Sequence, residues 1–208
     1  MIIGDSSIRA FGRTRKSLNA TSITGFGGMD ILEFICLMQV GKISKDYDLG
    51  KYKVRNRLQS GKDEFATIRF CKHCYSECAR NFTGQLILVI GLNNSLKAEI
   101  EPFSNEYGRS MQDINALYKL LDITIAKMLP NAEVLHAPVI KVVKGTWKRS
   151  QLAQKIFGDV NACIYRRPHL QFDPEEPLKN DLFDREGVHL EDEASTEFWA
   201  KSFETAEN

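Results

Sequence analysis

Short apolar runs alternate with amphipathic stretches along the chain, and glycines fall where the runs end. Met1-Ile2-Ile3 stops at Gly4 and delivers Asp5-Ser6-Ser7. Ile8 to Lys16 mixes apolar and basic residues and reads as a short helix or loop, and Asn19 to Thr24 reads as a second, β-branched strand. Gly25-Phe26-Gly27-Gly28 breaks that strand, and Met29 to Val40 follows as an amphipathic helix. Gln85 to Ile90 is a continuous apolar run ending at Gly91, the pattern of a buried parallel strand.

The remaining pattern is read the same way. Leu92 to Ser110 is polar and reads as a loop. Ile114, Leu117, Leu121, Ile125 and Met128 form one stripe of a helix from about Met111 to Leu129, stopped by Pro130. Glu133 to Val139 reads as a strand broken by Pro138, Trp147 to Phe157 as a helix closed by Gly158, and Val160 to Tyr165 as a short strand. Pro168 to Asn180 reads as a loop, and Glu193 to Phe203 as a final helix with Phe198, Trp199 and Phe203 inward. Strands alternating with helices predict an α/β sandwich with a mainly parallel sheet, whose connecting turns lie along one edge.

Composition narrows the class. The chain has 208 residues, 43% of them hydrophobic, and a net charge of +1. No apolar run approaches the roughly 18 residues that span a membrane. A single globular domain, residues 1–208, is expected, with residues 41–61 as a polar surface excursion. A strand that begins almost at the first residue suggests a domain cut from a longer protein, and no signal peptide is visible. Charge is uneven: residues 1–90 carry 14 Lys and Arg against 8 Asp and Glu, and residues 171–208 carry 3 against 12. Solvated surface is the ordinary meaning of such blocks, and the basic front half is also compatible with nucleic acid.

Five cysteines do not suggest a disulfide framework and imply a reducing, intracellular compartment. Cys71-Lys72-His73-Cys74 has zinc-ligand spacing, but Phe65, Ile68, Cys71, Cys74 or Tyr75, Cys78 and Phe82 recur at helical spacing. A core helix over Lys62 to Phe82 is expected, with no metal and no cofactor.

Four turns carry the candidate chemistry: Gly4-Asp5-Ser6-Ser7, Gly25-Phe26-Gly27-Gly28, Gly91-Leu92-Asn93-Asn94, and Phe183 to Leu190. Acyl transfer requires such a set. A serine hydroxyl is a weak nucleophile until a histidine takes its proton, and a carboxylate orients that imidazole. Ser6 is the candidate nucleophile, His189 the base and Glu186 the orienter. The backbone amides of Ser6 and Gly27 and the side-chain amide of Asn93 are candidate oxyanion donors. Each residue also has an ordinary reading: a serine caps a helix, glycines and asparagines make turns, and a histidine between Val188 and Leu190 packs in a core.

The order Gly-Asp-Ser, Gly, Gly-x-Asn, x-Gly-Val-His-Leu resembles the SGNH (GDSL-type) hydrolase superfamily over nearly the whole chain, Met1 to about Phe203. The resemblance implies a three-layer α/β/α sandwich with a flavodoxin-like five-stranded sheet, and serine esterase or acyl-hydrolase activity on a small acyl ester, with lipid esters among the candidates. Gly4-Asp5-Ser6 matches the first block, Gly27 (with Gly25 and Gly28 as alternates) the second, Gly91-Leu92-Asn93 the third, and Glu186-Gly187-Val188-His189 the last. Two positions depart from the pattern. Glu186 stands where the family has Asp, with Asp184 as a nearby substitute, and Asn94 stands where the third block ends in Asp. The Gly-x-Ser-x-Gly elbow of other hydrolases is absent, because Ile8 occupies its last position.

The ending also resembles the esterase domains in the first open reading frame of LINE-type retrotransposons. The competing class is a catalytically impaired SGNH-like module that binds RNA or a protein. Its candidate phosphate-contacting face is Arg9, Arg13, Arg15, Lys16, Arg55, Arg57, Arg166 and Arg167.

Overall fold

The computed structural model describes residues 1–8, 23–25, 27–40, 82–100, 113–141, 151–177, 182–183 and 189–204. They form a mixed α/β unit with a parallel sheet of four short strands: β1 (Ile2–Gly4), β2 (Ile23–Gly25), β3 (Gln85–Val89) and β4 (Glu133–His136), in the order β2-β1-β3-β4. Five helices accompany them: α1 (Ile31–Val40), α2 (Leu92–Ile100), α3 (Ile114–Met128), α4 (Gln151–Ile164) and α5 (Asp192–Glu204).

Period-two alternation divides the strand side chains between two apolar clusters. Ile3, Leu86, Leu88 and Ile90 join the cluster formed with α1, α3 and α4. Ile2, Ile87 and Val89 face the other way, against Ile8, Leu170, Trp199 and Phe203. Both faces of the sheet are therefore covered, which is why its strands read as unbroken apolar runs. Gly4 is required by contact: a Cβ there would strike the Val89 carbonyl oxygen and come within 2.8 Å of the Val89 Cβ.

Two expectations fail. The stretch after Gly91 is a helix rather than a loop. Its polar residues Asn93, Asn94 and Ser95 are buried and its Leu92 and Leu96 face the core, so composition misrepresents their surroundings. Gly91 makes the abrupt entry possible with φ of +131°, a conformation side chains disfavour. The second failure is the helix stop at Gly158 with a strand after it. Helix α4 runs through Gly158 to Ile164, because Ala153, Ile156, Phe157, Val160, Cys163 and Ile164 continue one buried stripe. That gain outweighs the roughly 1 kcal/mol that a mid-helix glycine costs.

Next to β4 there is a single parallel bridge, His136 with His169. It is fixed by the His136 N–H on the Pro168 carbonyl and the Leu170 N–H on the His136 carbonyl, both at 2.9 Å. The proposed excursion 41–61, the cysteine-bearing helix before Phe82 and the Cys-x-x-Cys pair lie outside the described residues. No helix among the described residues is long and apolar enough to cross a membrane.

Candidate active site

Register brings the first three turns to one edge. Gly4 pairs with Gly25 on one side and with Val89 on the other. Ser6 and Gly27 each follow a paired glycine by two residues, and Asn93 is the second residue of α2, just past β3. All three lie beyond the carboxyl ends of adjacent parallel strands, where open α/β sheets hold their sites.

Ser6 opens a three-residue 3-10 turn, Ser6–Ile8. The turn is built by Asp5. Its backbone N–H donates to the Val89 carbonyl at 2.9 Å, continuing the strand's pairing by one residue. Its Oδ1 accepts both the Ser7 N–H at 3.0 Å and the Ser7 hydroxyl at 2.6 Å. An aspartate that accepts from the amide two residues on makes an Asx turn, which directs the chain sharply off the strand. Asp5 is fully buried, and burial pushes its carboxyl above the usual range. The Ser7 bonds and the charge of His189 act in the opposite direction.

His189 arrives from the far end of the sequence. Leu190 forms an antiparallel bridge with Phe183, and the Glu191 N–H donates to the Leu182 carbonyl at 2.9 Å. That small clasp, apolar and buried at Phe183 and Leu190, presents the half-buried imidazole to the serine turn. Ser6 Oγ lies 2.9 Å from His189 Nε2. With the imidazole proton on Nδ1, the hydroxyl donates to Nε2, which is the starting arrangement for general-base activation.

The third turn supplies two asparagines with different work. Asn93 is buried, and its Nδ2 has no hydrogen-bond partner among the described residues. A buried amide donor left without a partner costs free energy, which marks Asn93 as unusual in this site. Asn94 is fully buried, and its Oδ1 accepts the Ile31 N–H at 3.1 Å, satisfying one of the orphan donors at the start of α1. The same helix start is closed by a capping box. Asp30 Oδ1 accepts the Glu33 N–H at 2.8 Å, and Glu33 Oε2 accepts the Asp30 N–H at 3.0 Å. Two buried carboxyl groups already crowd that helix end, so a neutral amide suits position 94.

Gly27 lies in the half-buried turn before α1, and Gly28 takes φ of +67°. Glu186, Asp184 and six of the basic residues (Arg9, Arg13, Arg15, Lys16, Arg55 and Arg57) lie outside the described residues. Arg166 is exposed. Arg167 turns inward: its guanidinium takes both oxygens of Asp122, donates to the Cys163 carbonyl at 2.6 Å and lies over the Tyr118 ring.

Inspection of the residues alone missed three contributors. Asp5 has a legible signal, since Asp followed by Ser-Ser is Asx-turn chemistry. The Asp30-x-x-Glu33 capping box is likewise readable. The bond from Asn94 to α1 joins residues 63 positions apart and has no local signal. No protein-family model, curated protein or solved structure matches the chain.

Proposed function

We propose that the chain is a serine hydrolase that cleaves carboxylic esters through an acyl-serine, on an SGNH-type fold. The observation that carries this reading is the 2.9 Å contact between Ser6 Oγ and His189 Nε2, made across 183 residues of sequence beyond the carboxyl end of a parallel strand. In the proposed reaction Ser6 Oγ attacks the ester carbonyl carbon while His189 Nε2 takes the hydroxyl proton. The oxyanion is held by the Ser6 and Gly27 amides and by Asn93 Nδ2, whose unused donor supports the assignment. Collapse breaks the carbon–oxygen bond, and the imidazolium returns its proton to the departing alcohol. Water, deprotonated by His189, then releases the acid. Glu186, or Asp184 in its place, orients the imidazole.

The five-stranded, flavodoxin-like sheet belongs to the same proposal. The His136–His169 bridge supports it, because this one parallel pairing lies on the side of β4 where a fifth strand would add. The RNA-binding alternative is less well supported, since Arg167 is committed to Asp122 and Cys163.

A fluorophosphonate probe tests the reading without a guess at the substrate. Wild type is expected to be labelled at Ser6 and to hydrolyse a short-chain p-nitrophenyl ester. Equal labelling and equal ester turnover in wild type and Ser6→Ala would overturn it.

A further inference from the structure

We infer that Trp199 is a positioning residue for the serine–histidine pair: its indole N–H, donated to the Ser7 carbonyl, locks the helix that follows His189 onto the turn that carries Ser6. The inference rests on the hydrolase reading of the site.

The turn Ser6–Ile8 is too short to fix its own geometry, because three residues of 3-10 helix offer very few internal hydrogen bonds. Its shape is imposed from outside, and Ser7 is where this happens. The Ser7 N–H and hydroxyl are held by Asp5, and the Ser7 carbonyl accepts from Trp199 Nε1 at 3.1 Å. One side of the turn is thus tied to β1 and the other to α5.

Helix α5 begins at Asp192, three residues after His189, and Trp199 is its eighth residue. At 1.5 Å of rise per residue, the indole is rooted about 10 Å along the helix from its start. The histidine contact and the indole contact therefore grip the same serine turn from two separated points of one segment. A single tie would allow α5 to pivot about it, whereas two fix both distance and orientation. Ser6–His189 geometry then depends on Trp199 even though the indole touches neither reacting atom.

The indole itself cannot swing away. It is 1% exposed. Phe172 and Phe198 meet it edge-on at 5.8 and 5.2 Å, and Phe203 stacks on it at 5.5 Å. Because an indole N–H only donates, no other part of the ring can replace the bond.

The experiment is saturable fluorophosphonate labelling of the full chain, which separates reagent affinity from the inactivation rate at Ser6. Trp199→Phe keeps an aromatic ring and removes the donor. A neutral hydrogen bond contributes a factor of roughly two to twelve, so the inactivation rate of folded protein is expected to fall about fivefold with reagent affinity unchanged. Phe203→Leu is the control: it loosens the same aromatic cluster without removing the donor, and is expected to lower the melting temperature while slowing inactivation much less than Trp199→Phe does. If Trp199→Phe does not fold, benzothienylalanine at position 199 replaces the N–H by sulfur in a ring of the same shape and should slow labelling similarly. An unchanged rate in the donor-free variant overturns the inference, as does an equal slowing in Phe203→Leu, which would assign the effect to packing. Labelling of wild type no faster than Ser6→Ala overturns the hydrolase reading and this inference with it, and is told apart because it appears before any variant of Trp199 or Phe203 is compared.

Discussion

Two histidines, His136 and His189, have opposite surroundings, and the difference shows what makes an imidazole useful. His136 ends β4, and both its backbone groups are bonded to the segment around His169. Its ring is 3% exposed, 5.8 Å from the Tyr118 ring, and its Nδ1 has no hydrogen-bond partner among the described residues. Burial pushes its pKa down to about 4, with the charge of Asp122 pulling the other way. It is a neutral core residue at ordinary pH. His189 sits outside the strands in a clasp before α5, half-buried, with Nε2 on a serine hydroxyl. A base must reach both its proton donor and the charged state, and burial denies His136 the second. Strand-end position alone therefore does not select the histidine that meets a serine.

The sharpest way to break this comparison is to remove each imidazole. Ser6→Ala and His189→Ala are expected to lose on the order of 10⁴-fold or more in ester turnover, as paired nucleophile and base act as a unit. His136→Leu is expected to retain turnover. Steady-state rates on a p-nitrophenyl ester check all three, and loss of activity in His136→Leu would erase the distinction.

Next in size is Asn93→Ala, expected to lower kcat about 100-fold with little change in KM, because an oxyanion donor acts mainly in the transition state. A rise in KM alone would make Asn93 a substrate-binding group instead.

The pH dependence of stability probes the other histidine. Its folded pKa of about 4 lies below the 6.5 of a free imidazole, so the unfolded chain takes up the proton first as pH falls. The contribution of His136 is complete above pH 6.5 and is lost as pH falls towards 4. It amounts to at most about 3 kcal/mol. Urea melts at neutral and acid pH should show a smaller loss for His136→Leu than for wild type.

The smallest effect concerns the neutral side chain at position 94. Asn94→Ala removes the acceptor for the Ile31 N–H and should cost about 1 kcal/mol, the usual worth of a helix-start acceptor. Asn94→Asp keeps the acceptor but adds a third buried carboxyl group beside Asp30 and Glu33. Its pKa would be raised there, so the loss should be present at neutral pH and recovered as the pH is lowered. Thermal melts across pH distinguish the two variants.

The legible parts of this protein share one property: their signals are local. The apolar run Gln85 to Ile90 contains strand β3 because both sheet faces are covered, and the stripe Ile114 to Met128 is a helix because its spacing fits one face. Misreadings arose where burial overrode composition. Asn93-Asn94-Ser95 look like a loop and are buried in a helix, and Gly158 looks like a stop and lies within one.

The sequence by itself determined the alternation of strands and helices, the glycine-ended turns and the serine, asparagine and histidine types that acyl transfer requires. These follow from side-chain periodicity and backbone conformational preference, which act over a few residues. Only the tertiary structure decided that Ser6 meets His189 at 2.9 Å, that Asn94 closes the start of α1, and that Trp199 grips the turn at Ser7. Those contacts span 183, 63 and 192 residues, and their geometry is set by how the sheet, its helices and the aromatic cluster pack.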